Sequence, residues 1–299
     1  MKNLLLFLLA CCLCAAASAR PIRGSVKCGG KPMGGVTVTD GYTFAQSDEQ
    51  GIFTLDADDQ ALFISLVTPS GYLAPLEGGI PQFYRTYDPA AKRYDFELQP
   101  WPGSGECYEL LAIADPQPKT EEHFRRLRSE VMPALQAATD NGRTRGSNQA
   151  AIVLGDIVWD SPELFAGVKA EFAKLEVPVY GVIGNHDHEF PQVTDLSAQR
   201  RYEASFGPVN YSFTRGDVHF VSMDDIIHKA TGSDAYTSGF LDWQFEWLKQ
   251  DLSYVPRTCA VVLCVHIPFR GGFNGAGETY FDEVLELLLD LDATDEQLD

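Results

Sequence analysis

Gly184-Asn185-His186-Asp187 closes an apolar run, Val177 to Ile183, with the length and β-branched content of a buried strand. Three more short runs come after apolar stretches in the same way. Asp115-Pro116-Gln117 comes after Leu110 to Ala114, Gly155-Asp156 after Ala151 to Leu154, and Val265-His266-Ile267-Pro268 completes the run from Ala260. Helical periodicity lies between them. Thr120 to Ala138 carries Phe124, Leu127, Val131 and Leu135 at helical spacing, and after Pro162 the residues Leu164, Phe165, Val168, Phe172 and Leu175 form one apolar face. His219 to Met223 reads as a strand, Leu241 to Leu252 and Tyr280 to Leu291 as helices. Strands alternating with helices predict an α/β fold, in which loops at the carboxyl ends of the strands converge on a ligand site.

The residues at those ends are ligand types. Asp115, Gln117, Asp156 and Asn185 offer oxygen, and His266 offers an imidazole. That mixture suits Mn, Fe, Zn or Mg better than a thiolate-preferring metal. Asp156 has two carboxylate oxygens, one for each of two ions; two ions about 3.5–4 Å apart clamp a phosphate and activate water for in-line attack. No single run carries this reading. A lone His266 at a strand end is ordinarily a hydrogen-bonded structural histidine; the ordered set of four carries the metal expectation. His188 reads either as a lining residue of a substrate pocket or as a solvent-facing loop residue. His123 and His228 read as surface residues, His219 as structural.

Residues 20–98 have a different grammar. Gly24-Ser25-Val26-Lys27, Val36-Thr37-Val38-Thr39, Ile52-Phe53-Thr54-Leu55 and Leu62 to Val67 are strand-like, separated by Cys28-Gly29-Gly30-Lys31-Pro32, Asp40-Gly41 and Ser47 to Gly51. Short strands with this punctuation predict an all-β sandwich that folds on its own. Residues 99–106, rich in Pro and Gly, read as a linker into the second domain, 107–299.

From about Cys107 to Asp299 the chain resembles the calcineurin-like metallophosphoesterase superfamily. Tyr211 to Phe220 resembles the strand pair, and Gln244-Phe245-Glu246-Trp247-Leu248 the helix, that come after the Asn-His-Asp loop there. Residues 20–98, with Gly-x-Val, Gly-x-Pro, Gly-Val-x-Val and Asp-x-x-Gly-x-Phe, resemble a carboxypeptidase-regulatory-like β-sandwich. The resemblance implies an α/β core of the αββα four-layer type and a metal-dependent hydrolase of phosphate mono- or diesters. By it, Asp115 and Gln117 hold one divalent ion, Asp156 bridges two, and Asn185 and His266 hold the second. His186, paired with Asp187, stands beside the phosphate as the catalytic pair. The pattern departs twice: Asp-x-Gln replaces Asp-x-His, and no Gly-His-x-His comes after His266, the last of six histidines. The expectation is therefore a core lacking its last strands, with one imidazole fewer for each ion. The alternative is a chain that works only as a β-sandwich binding module on an incomplete, inactive or weakly active core.

Lys2, the apolar Leu4 to Leu9 and Ala17-Ser18-Ala19 fit a signal peptide over 1–19, which predicts an exported protein, periplasmic or secreted. Leu8-Leu9-Ala10-Cys11 also fits a lipobox, and a lipid on Cys11 would then be the one membrane attachment. Net charge is −19, from 23 basic and 42 acidic residues, so nucleic acid is not an expected partner. Outside the signal the cysteines are Cys28, Cys107, Cys259 and Cys264. The last two lie in one strand about 16 Å apart, too far to bridge, and all four are expected buried and free.

Overall fold

The structure, a computed structural model, describes residues 20–101, 108–190, 192, 194–229, 236–269 and 280–292. The expected signal peptide, Cys11, Cys107 and most of the expected linker lie outside the described residues. No helix among those described is long and apolar enough to cross a membrane.

The strand-rich N-terminal region holds two principal sheets. One contains β1 (Arg20–Cys28), β2 (Lys31–Pro32), β5 (Ile52–Ala57), β7 (Tyr72–Leu73) and β11 (Arg93–Pro100). The other orders β10 (Tyr84–Thr86), β6 (Phe63–Leu66), β3 (Thr37–Thr39) and β4 (Phe44–Gln46). The hairpin β8 (Leu76–Glu77) and β9 (Ile80–Pro81) stands apart. Alternation does the work expected of it. In β5, Phe53, Leu55 and Ala57 are buried while Thr54 and Asp56 are exposed, and in β11 Tyr94, Phe96 and Leu98 turn inward. β11 runs through to Pro100 and pairs there with β7, two residues beyond the expected end at Leu98.

The second region is a core of mixed sheets and helices. Its parallel sheet contains β12 (Tyr108–Ile113), β13 (Asn148–Leu154) and β14 (Val179–Val182). A second sheet pairs β15 (Tyr211–Arg215) antiparallel with β16 (Val218–Ser222), and β16 parallel with β19 (Ala260–Cys264). β17 (Ile226–His228) and β18 (Tyr236–Ser238) form a hairpin. Period-two patterning gives each sheet two apolar faces. In β13, Ala150 and Ile152 join the core that contains Tyr211, Phe213 and Phe220 of the other sheet. Ala151 and Val153 face a separate cluster with the helical residues Phe124, Val168, Phe172, Tyr202 and Phe206. Val221 packs with Trp247, Leu248 and Val284 in a third.

The helices match the expected stretches, with one informative interruption. Between α1 (Glu121–Arg126) and α2 (Met132–Thr144) the chain makes a π turn, Leu127–Val131. Pro133 lacks an N–H and its ring would clash with the carbonyl four residues back; the wider turn accommodates both. α3 (Phe165–Phe172) begins after a 3₁₀ turn opened by Pro162. The short α4 (Asp195–Ala198) and α5 (Arg200–Phe206) have no clear apolar period. α6 (Asp242–Ser253) and α7 (Phe281–Asp292) fall where the periodicity puts them.

The two regions share one hydrophobic core. Val26, Phe53, Ile64 and Phe96 belong to the same cluster as Ile152, Tyr180, Val182 and Phe213. Backbone bonds also cross: Thr214 N donates to Thr68 O at 2.9 Å and Val179 N to Gly79 O at 2.9 Å. Cys28 and Cys259 are half-buried rather than buried, and only Cys264 is enclosed; these three are unpaired.

Candidate metal centre

Each expected ligand sits two to four residues past a strand end: Asp115 and Gln117 after β12, Asp156 after β13, Asn185 after β14 and His266 after β19. Because β12, β13 and β14 are parallel, their carboxyl ends lie on one edge. Asp115, Asp156 and His266 each present one ligand atom, and these atoms lie within 4.8 Å of one another. His266 Nδ1 lies 2.9 Å from Leu154 O, so its N–H is donated there and Nε2 faces Asn185 Oδ1 at 3.1 Å and Asp156 Oδ1 at 3.4 Å.

The fit to cations rests on these contacts. An unprotonated Nε2, an amide oxygen and a carboxylate oxygen are all acceptors and repel one another unless positive charge lies between them. Gln117 makes the same point. Its Nε2 donates to Asp115 Oδ1 at 3.2 Å and also to Asp156 Oδ2, so an amide NH₂ takes the position between two carboxylates that a cation would take. A half-turn of the amide brings Oε1 to that place as a ligand.

The backbone is strained here. Asp115 (φ 48°), Gln117 (φ 39°), Asp156 (φ 49°) and Asp160 (φ 49°) are four of the six non-glycine residues with positive φ among those described. Such conformations cost on the order of 1–3 kcal/mol each and cluster at functional sites. Two glycines make the close approach possible. A Cβ on Gly155 (φ 85°) would stand 2.3 Å from His266 Nδ1, and one on Gly184 would stand 2.3 Å from Asp156 Oδ1. The small residues in the Gly-Asp and Gly-Asn-His-Asp runs are thus demanded by the ligands opposite them.

Asp187 corrects an expectation. It does not pair with His186. Its carboxylate accepts from Ile157 N and Val158 N at 3.0 Å and from Gly184 N at 2.9 Å, clamping the two ligand loops together. Burial pushes its carboxyl up to about 7 despite these three bonds. The partner of His186 is Asp160, with Oδ1 2.8 Å from Nδ1. The imidazole also stacks on Trp159, centroids 4.2 Å apart and planes 24° from parallel, and His186 N donates to Asp156 Oδ1 at 2.9 Å. His186 is thereby fixed beside the ligand cluster by a carboxylate, an indole and its own backbone.

His188 is not solvent-facing. It is 3% exposed, with Nδ1 2.9 Å from Gly184 O and Nε2 3.3 Å from Asp224 Oδ2. Burial pulls its pKa down, but the Asp224 carboxylate and the Gly184 carbonyl outweigh it and raise the imidazole to about 9. His228 is buried rather than on the surface, with Nε2 2.8 Å from Gln192 O. His123 is exposed, and His219 is buried between Thr214 and Asp251 as a structural residue.

Three contributors escaped the sequence reading. Asp160 and Trp159 lie in the loop after β13, four and three residues past Asp156. Asp225, three residues past β16, is fully buried and accepts from His266 N at 3.3 Å and Ile267 N at 2.8 Å, so it shapes the loop that carries His266. The signal was present: Met223-Asp224-Asp225 also comes directly after an apolar strand.

Comparison with known proteins agrees with this geometry. The family described as calcineurin-like phosphoesterase matches residues 108–295, and the family described as the N terminal of calcineurin-like phosphoesterase matches residues 20–101. No curated protein matches. Among solved structures, a dimetal phosphatase from Danio rerio is 18% identical, with a TM-score of 0.42 over 62% of this chain and 78% of that one. A purple acid phosphatase from yellow lupin (Lupinus luteus) seeds is 12% identical, with a TM-score of 0.39 over 81% of this chain; this chain spans 47% of the lupin enzyme's length. With well over half of its residues matched by the family and an acceptor-rich cluster at the strand ends, the chain belongs to the calcineurin-like phosphoesterases, hydrolases of phosphate esters.

Proposed function

We propose that this chain is an exported, metal-dependent hydrolase of phosphate mono- or diesters, working with two divalent ions. One observation carries the reading: the ligand atoms of Asp115, Asp156 and His266 converge within 4.8 Å, with Asn185 Oδ1 3.1 Å from His266 Nε2. Asp115 and Gln117 would hold one ion, Asn185 and His266 the other, and Asp156 both. When bound, the ions supply Lewis-acid stabilisation of the phosphoryl charge and a more acidic attacking water. Asp187 and Asp225 hold the ligand loops in place through backbone N–H groups. His186 donates Nδ1–H to Asp160, which leaves Nε2 to face the substrate. Protonated there, it neutralises developing charge and gives its proton to the departing oxygen. The apolar Leu4 to Leu9 and Ala17-Ser18-Ala19 support export.

The test is hydrolysis of p-nitrophenyl phosphate and bis(p-nitrophenyl) phosphate with Mn, with and without a chelator. Asp156→Asn is expected to remove most of the turnover and to lower bound metal. Chelator-resistant turnover, or an unimpaired Asp156→Asn variant, would refute the reading. Preference between the two esters assigns the substrate class.

A further inference from the structure

Where His186 Nε2 hands its proton to a departing oxygen, the alcohol that leaves with that oxygen lies against whatever flanks the imidazole. The flanking group is Trp159. Its indole stacks on the His186 ring, centroids 4.2 Å apart, and its backbone N donates to Pro118 O at 3.3 Å, which ties it to the loop between β12 and α1. Trp159 is nevertheless 37% exposed, so an indole surface stands open beside the proton donor.

The residue after Pro118 supplies a charge. Lys119 Nζ lies 5.1 Å from the centroid of the Trp159 ring, so two steps, 5.1 Å and 4.2 Å, lead from ammonium to indole to imidazole. The ammonium has no ion pair or hydrogen bond among the described residues. The three arginines that come after it in α1 and the π turn are all paired, Arg125 with Glu122, Arg126 with Glu130 and Arg128 with Glu171. The carboxylate of Asp160, on the far side of the stack, is taken by His186 Nδ1. An indole face attracts an ammonium without neutralising it, so Lys119 is left able to meet an anion through a charge-assisted hydrogen bond.

We propose that Trp159 and Lys119 form the subsite for the leaving alcohol, and that Lys119 selects phosphate esters whose alcohol carries an anionic group of its own. The indole holds the lysine stem in place and lines the path of the alcohol. This specificity rests on the phosphoester reading and narrows its substrate class.

The probes are 4-methylphenyl, 4-(carboxymethyl)phenyl and 4-(aminomethyl)phenyl phosphate, three esters of one shape that differ in the charge at the far end of the ring. Phosphate release is followed with Mn at low ionic strength. In the wild-type chain the carboxymethyl ester is expected to exceed the methyl ester by about fivefold in kcat/KM, through KM, and the aminomethyl ester to fall below it; about 0.5 M salt should erase the order. Lys119→Met, which keeps the stem, is expected to make the three esters equal and to leave turnover of the methyl ester unchanged. Lys119→Glu is expected to reverse the order. Lys27→Met, an equal change of net charge on the exposed side of β1, is expected to leave the preference intact. Esters within about twofold of one another in the wild type, a preference that survives Lys119→Met, or one that Lys27→Met removes equally well overturns the subsite. Turnover of the methyl ester in that case leaves the phosphoester reading standing. Absence of turnover on all three esters and on both p-nitrophenyl substrates refutes that reading and the subsite with it. The wild-type comparison needs no variant, so a misfolded variant does not rescue the idea.

Discussion

His186 Nδ1 and Asp160 Oδ1 are 2.8 Å apart, and the two residues are joined a second time through the backbone, Asp160 N donating to His186 O at 3.1 Å. Asp160 reaches this position through a left-handed backbone, φ 49°, at the end of the loop that begins with Asp156. One loop thus carries both the candidate ligand Asp156 and the carboxylate that orients the imidazole beside it.

Replacing Asp160 by Asn removes the charge behind His186 and allows the ring to flip. We expect kcat to lose a large part of the roughly 10²–10⁴-fold that a positioned general acid contributes, with bound metal unchanged. His186→Ala is expected to show the same split. Metal analysis alongside steady-state kinetics checks it: if metal and rate fall together, His186 is a ligand or a fold residue and not the proton donor.

Gly155→Ala is expected to be damaging although it adds one methyl group. The new Cβ meets the His266 ring, 2.3 Å from Nδ1, at φ 85°. Strain of about 1–3 kcal/mol is expected, together with loss of bound metal, because His266 must turn away from Asp156. Thermal unfolding and metal content after dialysis report the two effects. A variant with wild-type values in both would show that the His266 loop yields freely.

The strand ends and the convergence of Asp115, Asp156 and His266 on one another were legible in the sequence because buried parallel strands are continuous apolar runs, and each run gives way to a loop at the carboxyl end of its strand. The partners of the candidate ligands were not. Asp187 stands next to His186 in the chain, yet the 3₁₀ turn Asn185–Asp187 sends its carboxylate back into the protein to the N–H groups of residues 157, 158 and 184. Asp160 is twenty-six residues from His186 and meets it only through the fold. The union of the two cores was equally hidden. Alternation marks which residues of β6 and β13 are buried but carries no information on which sheet covers them.

That shared core has a thermodynamic consequence. Phe83, 3% exposed, lies 4.9 Å from Tyr211 of the second region, ring centre to ring centre. Phe83→Ala is expected to cost about 3–5 kcal/mol and to lower the melting temperature of the whole protein in a single transition. Calorimetry together with tryptophan fluorescence checks this, since Trp247 reports on the second region. Two separate transitions, with only the first one moved, would mean that the N-terminal sheets fold independently.

Glu203 gives a pH dependence with a definite sign. Burial, with Asp224 adding to it and Arg200 and His188 opposing it, raises its carboxyl from the ordinary 4.5 to about 7. A carboxyl raised in the folded state binds its proton more tightly there than in the unfolded chain. Its stabilising contribution is complete below pH 4.5 and is lost as pH rises through 7. Glu203→Gln removes the titration. We expect the variant to gain stability relative to wild type by on the order of 3 kcal/mol on going from about pH 4.5 to about pH 8, following the shift at about 1.4 kcal/mol per pH unit. Urea unfolding of both proteins at the two pH values gives this difference directly. A difference that does not change with pH would mean that Glu203 is ionised throughout and already has a counter-charge in the folded protein.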